Sequence, residues 1–398
     1  MDNDVLRNIA LSYSPMVGRN RAVLSTRLTV SAVRATRTPL ADELLAAIAD
    51  VWPEGGTRVS LNITSETLLN DLLRARPMSS VMLEVPSFIA CDPVNTEVIA
   101  QLHANGNTLL LQGRPPSLLP RRILPCFKYS IIELADDRRA TEAPGRIDSA
   151  IVRNMRFIQS GVRTVAEMEG SFGRGALGVL GWPIDDLRAL AGDRSGESRM
   201  TLVGDLFRRI DDADAIVNLT TTLERDAGLA AKLMSYLNSP AFGMASGADS
   251  LREAAAAFGG PHLKRCVALL LATASRDPQM RPVMYAAVRR GIFMEQLVAH
   301  AVDDATRGDV FICGVFSLLD IVFNRDFTEL LARAPVSERV REALIEDSGP
   351  YHPYLVLARA VETNAVDVID EYTLALQLSL DDVNRALLAT LTMASQLE

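Results

Sequence analysis

The chain has 398 residues, 48% of them apolar and 23% charged, with a formal net charge of −8. That is an ordinary globular balance with room for two or three domains. The acidic total leaves no electrostatic footprint for DNA or an anionic surface, so nucleic acid is disfavoured as a partner.

The first residues lack a basic segment followed by a long apolar core, so no signal peptide is expected. The most apolar runs, such as Cys266–Ala274, fall well short of the ~18–20 residues that a membrane span needs. No membrane association is expected, and the location is expected to be cytoplasmic. Cys91, Cys126, Cys266 and Cys313 are scattered without a CxxC pair, which argues against a disulfide framework and a zinc site.

Along the first half, strand and helix signals alternate. Residues 56–63 place Val59, Leu61 and Ile63 at period two, and residues 65–75 follow as an amphipathic helix. Residues 80–85 are a second strand, 93–105 a helix, Asn107–Leu111 and Tyr129–Leu134 two further strands. A helix over 148–159 and a last strand at Val162–Met168 complete the series. Such alternation predicts a mostly parallel sheet with helical crossovers. About six or seven such units can close into a barrel. The half-chain is short for a full (β/α)8 barrel of about 250 residues, so an incomplete or trimmed barrel is expected, with its chemistry at the C-terminal strand ends.

Residues 191–199 are polar and contain Gly and Ser, which predicts a linker between domains at 1–190 and 200–398. Beyond it the strand period disappears. Helices are predicted over Met200–Ile210, Gly228–Leu237, Leu251–Phe258 with Ser250 as cap, and His262–Ala274. A last helix opens at Ser379 with Asp382 in capping-box spacing and buries Val383, Leu387, Leu391 and Ala394.

Residues 229–270, with Asn238, Ser239, Pro240, Phe242 and Gly243 in a turn between helices, resemble the HDOD signature. Gly308–Asp320 resembles the segment that follows it in bacterial proteins pairing an EAL-type domain with HDOD. In the first half, Ser14-Pro15-Met16, Asn62–Ser65, Leu83-Glu84 and Gly181-Trp182 are similar to EAL segments. The resemblance implies a trimmed EAL-like, TIM-type βα barrel followed by an α-helical HDOD domain.

Active EAL domains hydrolyse cyclic di-GMP with two divalent metals, which need a ring of carboxylates, a metal-bound water and a lysine. The resemblance puts Thr26-Arg27-Leu28 in place of Glu-Ala-Leu, Gln112-Gly113 in place of the metal-holding Asp-Asp pair, Ile131 at the lysine and Leu180 at the glutamine before Gly-Tyr. Asn62, Glu84 and Glu167 remain, one amide and two carboxylates. Each also has a bland role: Asn62 can cap the turn after its strand, and the two glutamates can be solvated strand-end carboxylates. A literal Glu-Ala-Leu at Glu342–Leu344 falls in a predicted helix of the second half and carries no weight. None of His103, His262, His300 and His352 is followed by Asp, so the metal dyad of HD hydrolases is missing as well.

Gly173–Gly178 matches G-x-G-x-x-G without the βαβ context of a dinucleotide site and is expected to be a loop closing the barrel. The expectation is therefore a non-catalytic signalling regulator that uses no cofactor and works through a protein partner, with homodimerisation compatible. The alternative is a receptor that binds cyclic di-GMP intact, with Arg27 or Arg114 pairing a phosphate at the barrel mouth. Residual phosphodiesterase activity ranks third. Asn238–Gly243 is the candidate contact surface, or only a turn between helices.

Overall fold

The computed structural model describes residues 4–33, 41–51, 58–75, 77, 81–137, 155–190, 197–210, 221, 223, 226–242, 250, 253 and 260–397. The chain divides into two compact units. The first is Met1–Leu187 together with Ala360–Asp370; the second is Arg188–Arg359 with Glu371–Glu398. Residues 191–196 of the expected linker lie outside the described residues, and 197–199 already belong to a helix.

The first unit is a closed eight-stranded barrel in sequential order. Its strands are β1 (Ile9–Gly18), β2 (Val23–Ala32), β3 (Val59–Ile63), β4 (Val81–Pro86), β5 (Thr108–Gln112), β6 (Phe127–Glu133), β7 (Phe157–Val162) and β8 (Gly178–Gly181). β1 runs antiparallel to both neighbours, β2 and β8; the remaining pairs are parallel. Met16, Met82, Leu110, Ile131, Ile158 and Leu180, one each from six strands, form a single buried cluster. Alternate residues of a closed sheet face inward, so this layer fills the barrel as packed core.

The barrel's shortness lies in its crossovers. Helices α1 (Ala41–Val51), α2 (Glu66–Arg74), α3 (Ser87–Cys91) and α4 (Thr96–Ala104) connect the early strands, but Gly113–Cys126 between β5 and β6 contains only a 3-10 turn. In α2, Ser65 caps the N-terminus and Leu68, Leu69, Leu72 and Leu73 form the buried stripe.

The end of the barrel departs from the sequence expectation. Of the predicted helix 148–159, residues 148–154 lie outside the described residues, and Phe157–Val162 is strand β7. Of the predicted strand Val162–Met168, only Val162 belongs to a strand, as the last residue of β7. Thr164 and Glu167 form a reciprocal capping box that starts α5 (Val165–Gly173). The apolar residues Val165, Met168 and Phe172 recur at i, i+3 and i+7, a helical period that a short window confuses with alternation. The glycine-rich stretch then leads into β8, which pairs with β1 and closes the ring.

The second unit is helical. Its helices are α6 (Glu197–Arg209), α7 (Ala227–Leu237), α8 (Gly260–Ala272), α9 (Arg281–Val298), α10 (Asp304–Phe316), α11 (Leu319–Phe323), α12 (Phe327–Arg333), α13 (Glu338–Ile345), α14 (His352–Thr363), α15 (Val366–Ala375) and α16 (Leu380–Ser395), with Ala360–Asp370 assigned to the barrel unit. α9 is buried along nearly its whole circumference, as befits a central helix. α16 begins with the Ser379–Asp382 capping box and buries Val383, Leu387, Leu391 and Ala394, as its pattern predicts. Much of the predicted helix after Ser250 lies outside the described residues. No helix among the described residues is long and apolar enough to cross a membrane. The four cysteines are free.

A buried ion network ties α8, α9 and α10. Arg265 meets Glu295, which also receives Arg307 at 3.1 Å, while Arg265 reaches Asp304 at 3.2 Å. Burial raises the Glu295 carboxyl, and the two arginines oppose that shift. Next to this network, burial pushes the His262 imidazole down to about 4; Arg265 acts in the same sense and Asp304 against it. The unfolded chain, whose histidine titrates near 6.5, takes up this proton first as pH falls. Neutral His262 thus favours the fold fully above about 6.5, and that contribution is lost progressively as pH falls toward 4. Urea midpoints measured at about pH 7 and about pH 5 should fall more for the native chain than for His262→Gln; equal falls would remove His262 as a cause.

Candidate functional site

The C-terminal ends of the parallel strands open into a cavity of about 490 Å³, whose lining includes Arg27, Asn62, Glu66, Phe88, Gln112, Ile131, Glu133, Asp136 and Ser160. At its base Arg27 and Glu84 form a closed unit. Arg27 Nε donates to both carboxylate oxygens at 3.0 and 3.1 Å, and Nη2 donates to Oε2 at 2.6 Å. Ser60 Oγ donates to Glu84 Oε1 at 3.0 Å. The Glu84 side chain is 0% exposed and that of Arg27 15%. A bidentate guanidinium is a strong, directional partner for a carboxylate, and here it neutralises a charge that has left water.

Beside this pair sits a chain of neutral groups. Gln112 Nε2 donates to Asn62 Oδ1, and Asn62 Nδ2 donates to Thr29 Oγ1, both at 3.2 Å. On the rim, Ser160 Oγ donates to Glu133 Oε2 at 2.7 Å. Gly161 has φ of +74°, and a Cβ there would lie 1.8 Å from Glu133 Oε1, so the glycine makes room for that carboxylate. Among the described lining residues, the carboxylates Glu66, Glu133 and Asp136 surround a single cation, Arg27, already engaged by Glu84.

The structure brings together three of the five residues suggested as ligand-binding: Arg27, Asn62 and Glu84. Arg114 is exposed beyond the cavity lining, and its carbonyl accepts a hydrogen bond from Ser87 Oγ. Glu167 lies in α5, where its carboxylate accepts from the backbone N–H groups of Arg163 and Thr164. Thr26 and Arg27 occupy opposite faces of β2, and the one that faces Glu84 is Arg27. Ile131 and Leu180 are inside the barrel as core residues. Ser60, Thr29, Glu133, Asp136 and Ser160 had no sequence signal, because single hydroxyls and carboxylates at strand ends acquire meaning only once the strands are in register.

The metal pair implied by the resemblance does not fit these donors. Both oxygens of Glu84 are taken by Arg27, and Asn62 is held by Thr29 and Gln112. A permanent cation at this carboxylate repels a divalent ion, and two such ions about 4 Å apart need several shared carboxylates. Among the described residues, no group of three or more His, Cys, Asp or Glu is placed to hold a metal.

In the helical unit, Asn238 ends α7, its N–H donating to Met234 and Tyr236 carbonyls. Ser239 is buried; its Oγ accepts from Ala241 N at 3.3 Å and donates to Gln396 O at 3.4 Å. Exposed Pro240 opens the 3-10 turn Pro240–Phe242, and Gly243 lies outside the described residues. Glu342–Leu344 lies in α13, with Ala343 and Leu344 buried. His103 and His300 are exposed.

Residues 202–333 match the HDOD domain family model, and the chain carries an HDOD domain there. Over 338 residues the chain is 22% identical to a protein named cyclic di-GMP phosphodiesterase CdgJ, of Vibrio cholerae serotype O1; the match covers 83% of this chain and 77% of that protein. A stretch of 160 residues is 23% identical to the uncharacterized protein YuxH of Bacillus subtilis, 39% of each chain. A standalone EAL protein of Vibrio cholerae O395, solved in its c-di-GMP-bound form, aligns with 46% of this chain and 91% of its own at 15% identity and a TM-score of 0.32. The PaMucR phosphodiesterase–c-di-GMP complex aligns with 44% of this chain and 94% of its own, at 18% identity and a TM-score of 0.33.

Proposed function

We propose that this chain is a non-catalytic regulator in cyclic di-GMP signalling, with a barrel that does not hydrolyse the nucleotide and an action exerted through protein contacts. The similarity to CdgJ over 83% of the chain and the HDOD match supply the signalling connection. The observation behind the loss of catalysis is the Arg27–Glu84 pair, in which a guanidinium takes both oxygens of a carboxylate that metal-dependent phosphodiester hydrolysis would need free for a metal.

The charge of the mouth favours protein contact over nucleotide capture. Cyclic di-GMP carries two phosphodiester anions. The described lining offers three carboxylates and one cation already spent on Glu84, so the ligand meets net repulsion. A receptor for intact nucleotide would instead present unpaired arginines to the phosphates.

The test is a calorimetric titration of the full chain with cyclic di-GMP in Mg²⁺, followed by chromatography of the nucleotide. The expected result is no heat of binding and unaltered nucleotide. Micromolar binding with intact ligand replaces regulator by receptor, and linearised product refutes both.

A further inference from the structure

We infer that the turn joining α14 and α15, inside the segment Ala360–Asp370, is a latch over the β8–β1–β2 side of the barrel mouth. This holds independently of whether the barrel hydrolyses anything.

The segment belongs to the barrel unit although 178 residues, 182–359, separate it from β8. Its contacts gather on one sector. Ser12 Oγ donates to Asn364 Oδ1 at 2.6 Å, and Ser31 Oγ to the same oxygen at 3.3 Å. Ser12 lies opposite Thr29 and shares a face of β1 with the core residue Met16; Ser31 shares a face of β2 with Thr29 and Arg27. Both hydroxyls therefore open toward the barrel interior, at the level of Asn62 and above. Ser12 and Ser31 are nevertheless only 1% and 5% exposed.

The other anchors are aromatic. Trp182, just past β8, donates its indole N–H to the Glu362 carbonyl at 2.9 Å. Its ring meets Tyr13 edge-on at 5.6 Å, and Tyr13 OH reaches Glu362 Oε1 at 3.5 Å. Between these anchors Asn364 adopts a φ of +56°, a left-handed conformation that asparagine tolerates better than most residues. A tight turn at this point is what aims its carboxamide at two strands at once.

The cavity, by contrast, is lined from β2 round to β7, so the latch and the cavity divide the mouth between them. Release of the latch uncovers Ser12, Ser31 and Thr29 and widens the opening to the whole ring. Local opening of this segment, without global unfolding, is the event that exchange at its anchors detects.

Hydrogen exchange of the Trp182 indole N–H in the full chain reads the latch directly. The chain has two tryptophans, and Trp182→Phe assigns the resonance. Asn364→Gly keeps the backbone conformation and removes the carboxamide. It should speed Trp182 exchange about 5-fold, the equivalent of one net hydrogen bond, while amides of β3, β4 and β5 keep their rates. The pair Ser12→Ala with Ser31→Ala should do the same from the barrel side. Unchanged indole exchange in both variants overturns the latch. So does acceleration shared equally by the β3–β5 amides, since the segment would then be a fixed part of the barrel's cooperative fold.

Discussion

Replacing Glu84 with glutamine should destabilise the barrel unit by about 3–5 kcal/mol. The substitution keeps the size of the side chain but leaves the Arg27 guanidinium, only 15% exposed, without its counter-charge. A guanidinium does not escape by losing its proton at any ordinary pH, so the cost falls on the fold. Removing both charges is far cheaper: Arg27→Met with Glu84→Leu should recover most of the loss, because a buried pair repays little more than its own desolvation. Urea unfolding followed by Trp182 fluorescence isolates the barrel, which matters in a chain of two units. A loss under about 1 kcal/mol in Glu84→Gln would mean that the carboxylate is solvated and its partner dispensable.

Gly314→Leu should cost the helical unit at least about 3 kcal/mol, near the upper end for overpacking. α9 and α10 cross through a glycine pair. A Cβ on Gly314 would sit 2.7 Å from the backbone carbonyl group of Arg290 and 2.8 Å from Gly291 Cα; one on Gly291 would meet Val315 Cγ2 at 2.3 Å. Backbone on the facing helix cannot step aside as a side-chain end can, so the helices must separate. Even Gly314→Ala should destabilise, although alanine otherwise gains up to about 1 kcal/mol over glycine in a helix. Gly308, in the same α10, is the internal control: a Cβ there meets nothing within 4 Å. Gly308→Ala should stabilise by about 0.5–1 kcal/mol. Chemical denaturation of the three variants checks the order, and a neutral Gly314→Leu would contradict the tight crossing.

Strands β3 to β6 were legible because each is a short run of apolar residues at period two or continuously buried, punctuated by turns. β1 and β2 carried recognisable segments, but a segment match does not say which side chain faces inward. A shift of one residue exchanges every face of a strand. The resemblance puts Thr26 at the glutamate of Glu-Ala-Leu, whereas the side chain that meets Glu84 is that of Arg27. At Thr164–Glu167 the capping-box spacing is present in the sequence, four residues wide, inside the Val162–Met168 stretch whose alternation reads as a strand. The helical unit's last helix, by contrast, had a cap, a period and a buried stripe that agreed.

The candidate site was legible in its departures more than in its contents. Gln112, Ile131 and Leu180 stand out against the resemblance one position at a time. The site itself is a set of pairings across strands: Arg27 with Glu84 over 57 residues, Gln112 with Asn62 over 50. Asn364 reaches Ser12 over 352 residues. No local pattern encodes such distances, because they arise from closing the sheet and from a late return of the chain to the barrel.

A titration of the full chain with Mn²⁺, followed by the electron paramagnetic resonance of the free ion, asks whether the Arg27–Glu84 pair keeps a metal pair out of the barrel mouth. Exclusion of metal requires the free-ion signal to grow in step with added Mn²⁺, with no stoichiometric binding at micromolar concentration. Uptake of about two ions per chain, the number that phosphodiester hydrolysis of this type uses, abolished by Glu84→Gln, would contradict it.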